Sequence, residues 1–297
     1  ARGVRFTDAM TTIASTGVAH LSLFTGEFPR AQLPNGRLGR NNTTPTLAEL
    51  LQEGSYATAA FTEDGLISGP FGFWYGFDLF REYHVISEGR GAGVFADGID
   101  YIRKNRDRRF FLFLHTYRVH DPWDPTPASK DLFRDGTDWS EGRLDSRIPK
   151  RQRAVVDDYD RTIVDADQMV AGFLDEIERL GLSESTLVVL VSDHGEAFGE
   201  HGILGHGLAA HQEQLQIPLV FRGPGIAEGV VREEPVGITD VASTILDLAG
   251  LPFEGVGSSR SLAGLLRADT ETGESMPVLP ERPLFFTRLL GESSRNS

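Results

Sequence analysis

Two unbroken apolar runs constrain this chain more than any other feature: FFLFLH from Phe110 to His115 and TLVVLVS from Thr186 to Ser192. A strand with no polar alternation offers no face to water, so each run must lie in a sheet covered on both sides. That arrangement is typical of parallel sheets whose crossovers are helices. The sequence between the runs supplies such a helix. Tyr159, Ile163, Ala166, Val170, Phe173, Ile177 and Leu180 recur alternately four and three residues apart, which predicts one buried stripe from about Val156 to Leu180, stopped by Gly181. A shorter helix is predicted over Pro45 to Glu53, with Thr44 as its cap and Gly54 at its end, and then a strand from Tyr56 to Phe61. Gly93 to Asn105 and Thr239 to Ala249 read as further helices, and Ile217 to Phe221 and Leu284 to Thr287 as further strands. Strands and helices alternate through most of the 297 residues, which predicts an α/β fold in layers.

Composition narrows the chemistry. Without cysteine there are no disulfides, thiolate metal sites or cysteine nucleophile, so His, Asp, Glu, Ser and Thr must carry any reaction. The net charge of −14 opposes attraction to nucleic acid or to anionic lipid. A bilayer span needs roughly 20 consecutive apolar residues, and the apolar runs here fall far short of that. Ala1 in place of an initiator Met and the terminal GESSRNS lead to the expectation that sequence is missing at both ends, a signal region included.

Three segments concentrate reactive side chains. Directly after the second apolar run, Ser192 to His206 holds three His, three carboxylates and four Gly. Asp193 and His194 can reach one cation if the backbone bends at Gly195, and carboxylate plus imidazole suits Zn or Mn, and Ca less readily. The second segment, His115 to Pro125, leaves the first run and puts His120 and Asp121 on a proline-stiffened loop, where an imidazole can protonate a leaving group or contact an anion. The third, Ser15 to Pro29, has hydroxyls at Ser15, Thr16, Ser22 and Thr25 beside His20. Spacing alone does not choose a nucleophile among them, and the segment also reads as a helix start. The polar stretch from Pro122 to Lys150 and the aromatic FGFWYGFDLF, Phe71 to Phe80, are candidates for holding the rest of a substrate.

In this order, VRFTDAMTTIASTGVAHLSLFTGEFP, TLAELLQEGSYATAAF, FFLFLHTYRVHDPWDP, VVLVSDHGEAFGEHGILGHG with IPLVFRGPG, and TDVASTILDLAGLP resemble the sulfatase family of the alkaline phosphatase superfamily along almost the whole chain. The resemblance implies a three-layer sandwich with a mostly parallel central sheet, in a single catalytic domain over residues 1–297. It implies hydrolysis of a sulfate or phosphate ester of a small molecule or glycan, dependent on one divalent ion (Ca, Mn, Mg or Zn) and located in the periplasm or outside the cell. A phosphoethanolamine- or glycerol-phosphate-type transferase, a phosphodiesterase and a degenerate non-catalytic member are the alternatives.

By position, Thr16 takes the place of the family's nucleophile, with Ser15 one register away. Oxidation to formylglycine needs Cys or Ser there, so the resemblance implies a Thr variant. Val18 and Ala19 stand where Pro and Ser are usual, and His20 where Arg is. Asp193 and His194 match metal ligands, with Thr16 as a third. His120 matches the histidine on the transferred group, and His206 a position held by Lys or His. Glu196, Glu200 and His201 are expected to orient the ligands. The family's first strand, which ends in acidic ligands, would precede Ala1, so this chain is expected to be a weak catalyst of reduced stability.

Overall fold

The computed structural model describes residues 2–29, 44–84, 90–132, 147–207, 209–252 and 259–267. The strands are β1 (Val4–Phe6), β2 (Ala9–Met10), β3 (Ala57–Glu63), β4 (Leu79–Tyr83), β5 (Phe110–His115), β6 (Val188–Val191), β7 (Ala197–Phe198), β8 (Leu204–Gly205), β9 (Leu219–Arg222), β10 (Val230–Arg232) and β11 (Val236–Gly237). The α-helices are α1 (Thr16–Thr25), α2 (Leu47–Glu53), α3 (Ala92–Asn105), α4 (Arg153–Arg179), α5 (Gln212–Leu215) and α6 (Asp240–Leu248).

The apolar runs form strands as expected, and both of their faces are covered. Phe111 and Phe113 of β5 pack toward α1, α2 and α6, while Phe110 and Leu112 pack toward α3 and α4. In β6, Val189 and Val191 join the α1 side and Val188 the α4 side. The fold is therefore α/β in three layers. Helix α1 lies wholly inside it: all ten of its residues are buried, and its polar side chains are satisfied there, the Ser22 hydroxyl accepting from Thr12 and the Thr25 hydroxyl donating to the Leu21 carbonyl.

Parallel pairs join β3 to β4 and β5, β1 to β10, and β2 to β11. Strand β9 runs antiparallel between β1 and β6. The order is β4-β3-β5 in one sheet and β10-β1-β9-β6 in another, so β5 and β6 are edges among the described residues. This corrects the reading of the two runs as fully buried. Every residue of β5 is only partly buried and Leu190 of β6 is 41% exposed, because an unpaired edge admits solvent even where both faces are covered.

The helix predicted from Pro45 begins at Leu47, and its cap is Thr46, not Thr44. The Thr46 hydroxyl accepts from the Glu49 amide, and the Glu49 carboxylate accepts from the Thr46 amide at 2.8 Å. Thr46→Ala should lower stability by about 1 kcal/mol in denaturant titration, and an unchanged midpoint would contradict the capping role. Leu284 to Thr287, and 133–146 of the polar loop, lie outside the described residues.

Candidate active site

The C-terminal ends of β5 and β6 converge on α1, where Thr16 is the first helical residue and 4% exposed. Its Oγ1 lies 3.3 Å from His194 Nε2. His194 Nδ1 is 2.8 Å from the Gly195 carbonyl. A carbonyl only accepts, so Nδ1 carries the ring proton and Nε2 presents its lone pair toward Thr16. Asp193 Oδ2 is 3.5 Å from the same nitrogen, and Asp193 Oδ1 accepts from the His194 amide. The Thr16 hydroxyl and the Asp193 carboxylate thus both lie against His194 Nε2, a hydroxyl, an imidazole and a carboxylate of the kinds a divalent ion accepts. Burial works against ionising Asp193, but His194, His20 and His115 outweigh it and hold the carboxyl down at about 2.

His20 lies one turn after Thr16. Its Nδ1 donates to the Thr16 carbonyl at 2.8 Å and stands 3.7 Å from Asp193 Oδ2. Burial lowers its pKa against the pull of Asp193. His206, on the β7–β8 hairpin, lies with its ring 4.2 Å from that of His194 and 5.3 Å from that of His120. Its Nδ1 is 3.1 Å from Glu196, whose carboxylate raises the His206 pKa against the effect of burial. Thr16, His20, His120, His206, Asp193 and His194 therefore occupy one cluster. Of the three side chains expected to orient ligands, Glu196 contacts His206, whereas Glu200 accepts from the Phe198 amide and His201 pairs with Glu213.

Five members of the cluster or its support were not singled out from sequence. His115, the last residue of β5, stacks edge-on against His20 at 5.1 Å and Tyr117 at 4.6 Å. Its buried Nδ1 has no hydrogen-bond partner, and burial followed by the neighbouring His20 pushes its pKa to about 3. Burial likewise raises Tyr117 to about 12. Glu63, at the end of β3 and 1% exposed, accepts from the Gly91 amide, the Thr116 hydroxyl and the Tyr117 amide, fastening the segment that leads to His120. Arg118 and Asp165 form a buried ion pair that ties the same segment to α4. The position of His115 at a strand's C-terminal edge was a usable signal. The other contacts join residues far apart in sequence.

Gly195 is required by a close approach: a Cβ there would lie 2.3 Å from the Glu213 carbonyl oxygen. Gly195→Ala should cost about 1–3 kcal/mol of stability, read by thermal denaturation, and displace His194; wild-type stability would show that the turn yields freely. Val18 and Ala19 pack into the core beside β1 and β9, so the positions that depart from the family pattern serve packing. Within the aromatic segment, Phe73 is buried against His20, and Phe77 and Phe80 pack on the core, while Trp74 is 43% exposed and stacks on Tyr75.

The family model described as Sulfatase matches residues 1–251. An arylsulfatase of Clostridium perfringens is 24% identical over 206 residues, 60% of this chain and 42% of that protein. A choline-sulfatase of Rhizobium meliloti is 24% identical over 345 residues, 94% of this chain and 67% of that protein. The chain thus spans from under half to two thirds of the length of these relatives. A structure solved with its substrate D-glucosamine-2-N,6-O-disulfate superimposes with a TM-score of 0.69 at 20% identity, covering 90% of this chain and 73% of that one.

Proposed function

The chain belongs to the sulfatase family, and on that premise we propose that it hydrolyses a sulfate ester in two displacements through a covalent intermediate on Thr16. The observation that carries this reading is the approach of Thr16 Oγ1 to His194 Nε2 at the head of a buried helix. In the first displacement the Thr16 oxygen attacks sulfur, the bond from sulfur to the ester oxygen breaks, and the alcohol leaves with a proton. Water then attacks sulfur, the bond from Thr16 oxygen to sulfur breaks, sulfate departs, and Thr16 regains its proton. His120 and His206 face the transferred and leaving oxygens, where imidazole N–H groups stabilise developing charge. Asp193, His194 and Thr16 would hold a divalent ion (Ca, Mn, Mg or Zn), which when bound lowers the hydroxyl pKa and screens the anionic oxygens.

The alcohol part is proposed to be a sulfated sugar, by likeness to the relative solved with a glucosamine disulfate, and the protein to act in the periplasm or outside the cell, as the family resemblance implies. We treat residues 1–297 as one catalytic domain whose sheet accepts a further strand between β5 and β6. The support for this is that both edges are unpaired among the described residues, and that His115 at the end of β5 and Asp193 just after β6 both stand beside His20. Acidic side chains at the end of such a strand would complete the cation's ligands.

Steady-state rates on matched aryl sulfate, phosphate monoester and phosphodiester substrates test the reading. The sulfate should be turned over at least tenfold faster, about 1.4 kcal/mol of barrier. A preference for the diester would instead favour the transferase or phosphodiesterase alternative.

A further inference from the structure

His201, His211 and Glu213 stand apart from the Thr16–His194 cluster, and no proposed catalytic step uses them. Their ligand atoms all lie within 4.8 Å of one another, the only such group of three His or carboxylate side chains among the described residues. His201 Nδ1 is 2.7 Å from Glu213 Oε1, and the His201 and His211 rings stack 4.1 Å apart. His201 lies in the turn between β7 and β8, just before His206. His211 and Glu213 lie at the start of α5, whose Gln214 carbonyl accepts the Gly195 amide at 2.8 Å. Three donors from two separate elements therefore meet directly behind the turn that carries His194.

We infer that His201, His211 and Glu213 form a second cation site, for an imidazole-preferring transition ion such as Zn2+, that clamps the β7–β8 hairpin to α5. Two imidazoles, one carboxylate and a water are an ordinary zinc set, with ligand distances of about 2.0–2.2 Å. Closing on such an ion draws the donors together, and one of the two rings must turn, because at 9° between planes a single ion cannot lie in both. His201, partly exposed, has the freedom to do so. Arg147 now donates to His201 Nε2 at 2.7 Å, so the ring proton sits on Nδ1. A cation on Nδ1 moves that proton to Nε2, and the exposed Arg147 guanidinium withdraws from it. Binding thus exchanges a hydrogen-bonded tether for a coordinated one. The site does not depend on the catalytic reading.

The test is titration of the chelator-stripped protein with Zn2+ by calorimetry, and with Co2+ by visible absorption. Wild type and Asp193→Asn should both show the site, whereas His211→Ala should lose at least tenfold in affinity together with the Co2+ bands. Unchanged affinity and bands in a His211→Ala protein of wild-type circular dichroism would overturn the proposal. So would loss of the site in Asp193→Asn alone, or equal binding of Mg2+. If His211→Ala fails to fold, Glu213→Gln carries the same comparison.

Discussion

Replacing Thr16 by alanine should cut sulfate-ester turnover at least a thousandfold, about 4 kcal/mol of barrier, while the protein still unfolds cooperatively. In the proposed mechanism the Thr16 oxygen is the only atom that forms the bond to sulfur, so no remaining group substitutes for it. The structural cost should be modest. Thr16 occupies the first turn of α1, and the removed atoms leave a small void beside His194. Ser15→Ala is the matched control: Ser15 caps the helix without a side-chain hydrogen bond, and its loss should leave the rate within tenfold of wild type. A Thr16→Ala protein that keeps a tenth of its activity has lost only about 1.4 kcal/mol, too little for a nucleophile, and the assignment would fall. Steady-state rates with an aryl sulfate, with circular dichroism of both variants, decide between these outcomes.

Asp165→Ala should destabilise the fold by about 3–5 kcal/mol, the largest structural effect expected of a single substitution here. Asp165 is 2% exposed and Arg118 6%, so removing the carboxylate strands a buried guanidinium. The same carboxylate accepts from the Thr126 amide at 3.0 Å and the Thr126 hydroxyl at 2.6 Å. Its loss therefore releases the segment from Arg118 to Thr126 that holds His120, and activity should fall with stability. Burial works to raise the Asp165 pKa, but the bonds from Thr126 and Arg118 outweigh it and the net shift is downward. A depressed carboxylate stabilises above its unfolded pKa near 3.8 and loses that contribution as pH falls toward the lower folded value. Wild type should thus lose stability more steeply than Asp165→Asn over that acidic range. Parallel curves in urea titrations at several pH values would show that the pair contributes little.

The layered fold was largely legible because its signals are local. The helix from Tyr159 to Leu180 needs only helical periodicity, and FFLFLH needs only its lack of alternation. The stripe itself is buried only in part: Ile177 is 4% exposed but Ile163 41%, because Thr162, Asp165 and Glu176 take buried positions on the same helix through contacts that periodicity does not encode. What these signals do not encode is pairing. Nothing in IPLVF says that β9 runs antiparallel between β1 and β6, and nothing in the two apolar runs says that each forms an edge among the described residues. The site divides the same way. Asp193, His194 and His206 are close in sequence and on one glycine-rich turn and hairpin, so their convergence could be expected, and resemblance located Thr16, His20 and His120. Glu63, Arg118 and Asp165 escaped notice because their partners lie at sequence separations of up to 54 residues and their single charges look like ordinary surface residues.

The central claim is the covalent role of Thr16, and it is tested most directly by acid-quenching the full-length protein during turnover of an aryl sulfate and mapping its peptides by mass spectrometry. The account predicts a sulfuryl group on the peptide containing Thr16, absent from Thr16→Ala. Sustained turnover with that peptide unmodified, or with the group on Ser15, would contradict it.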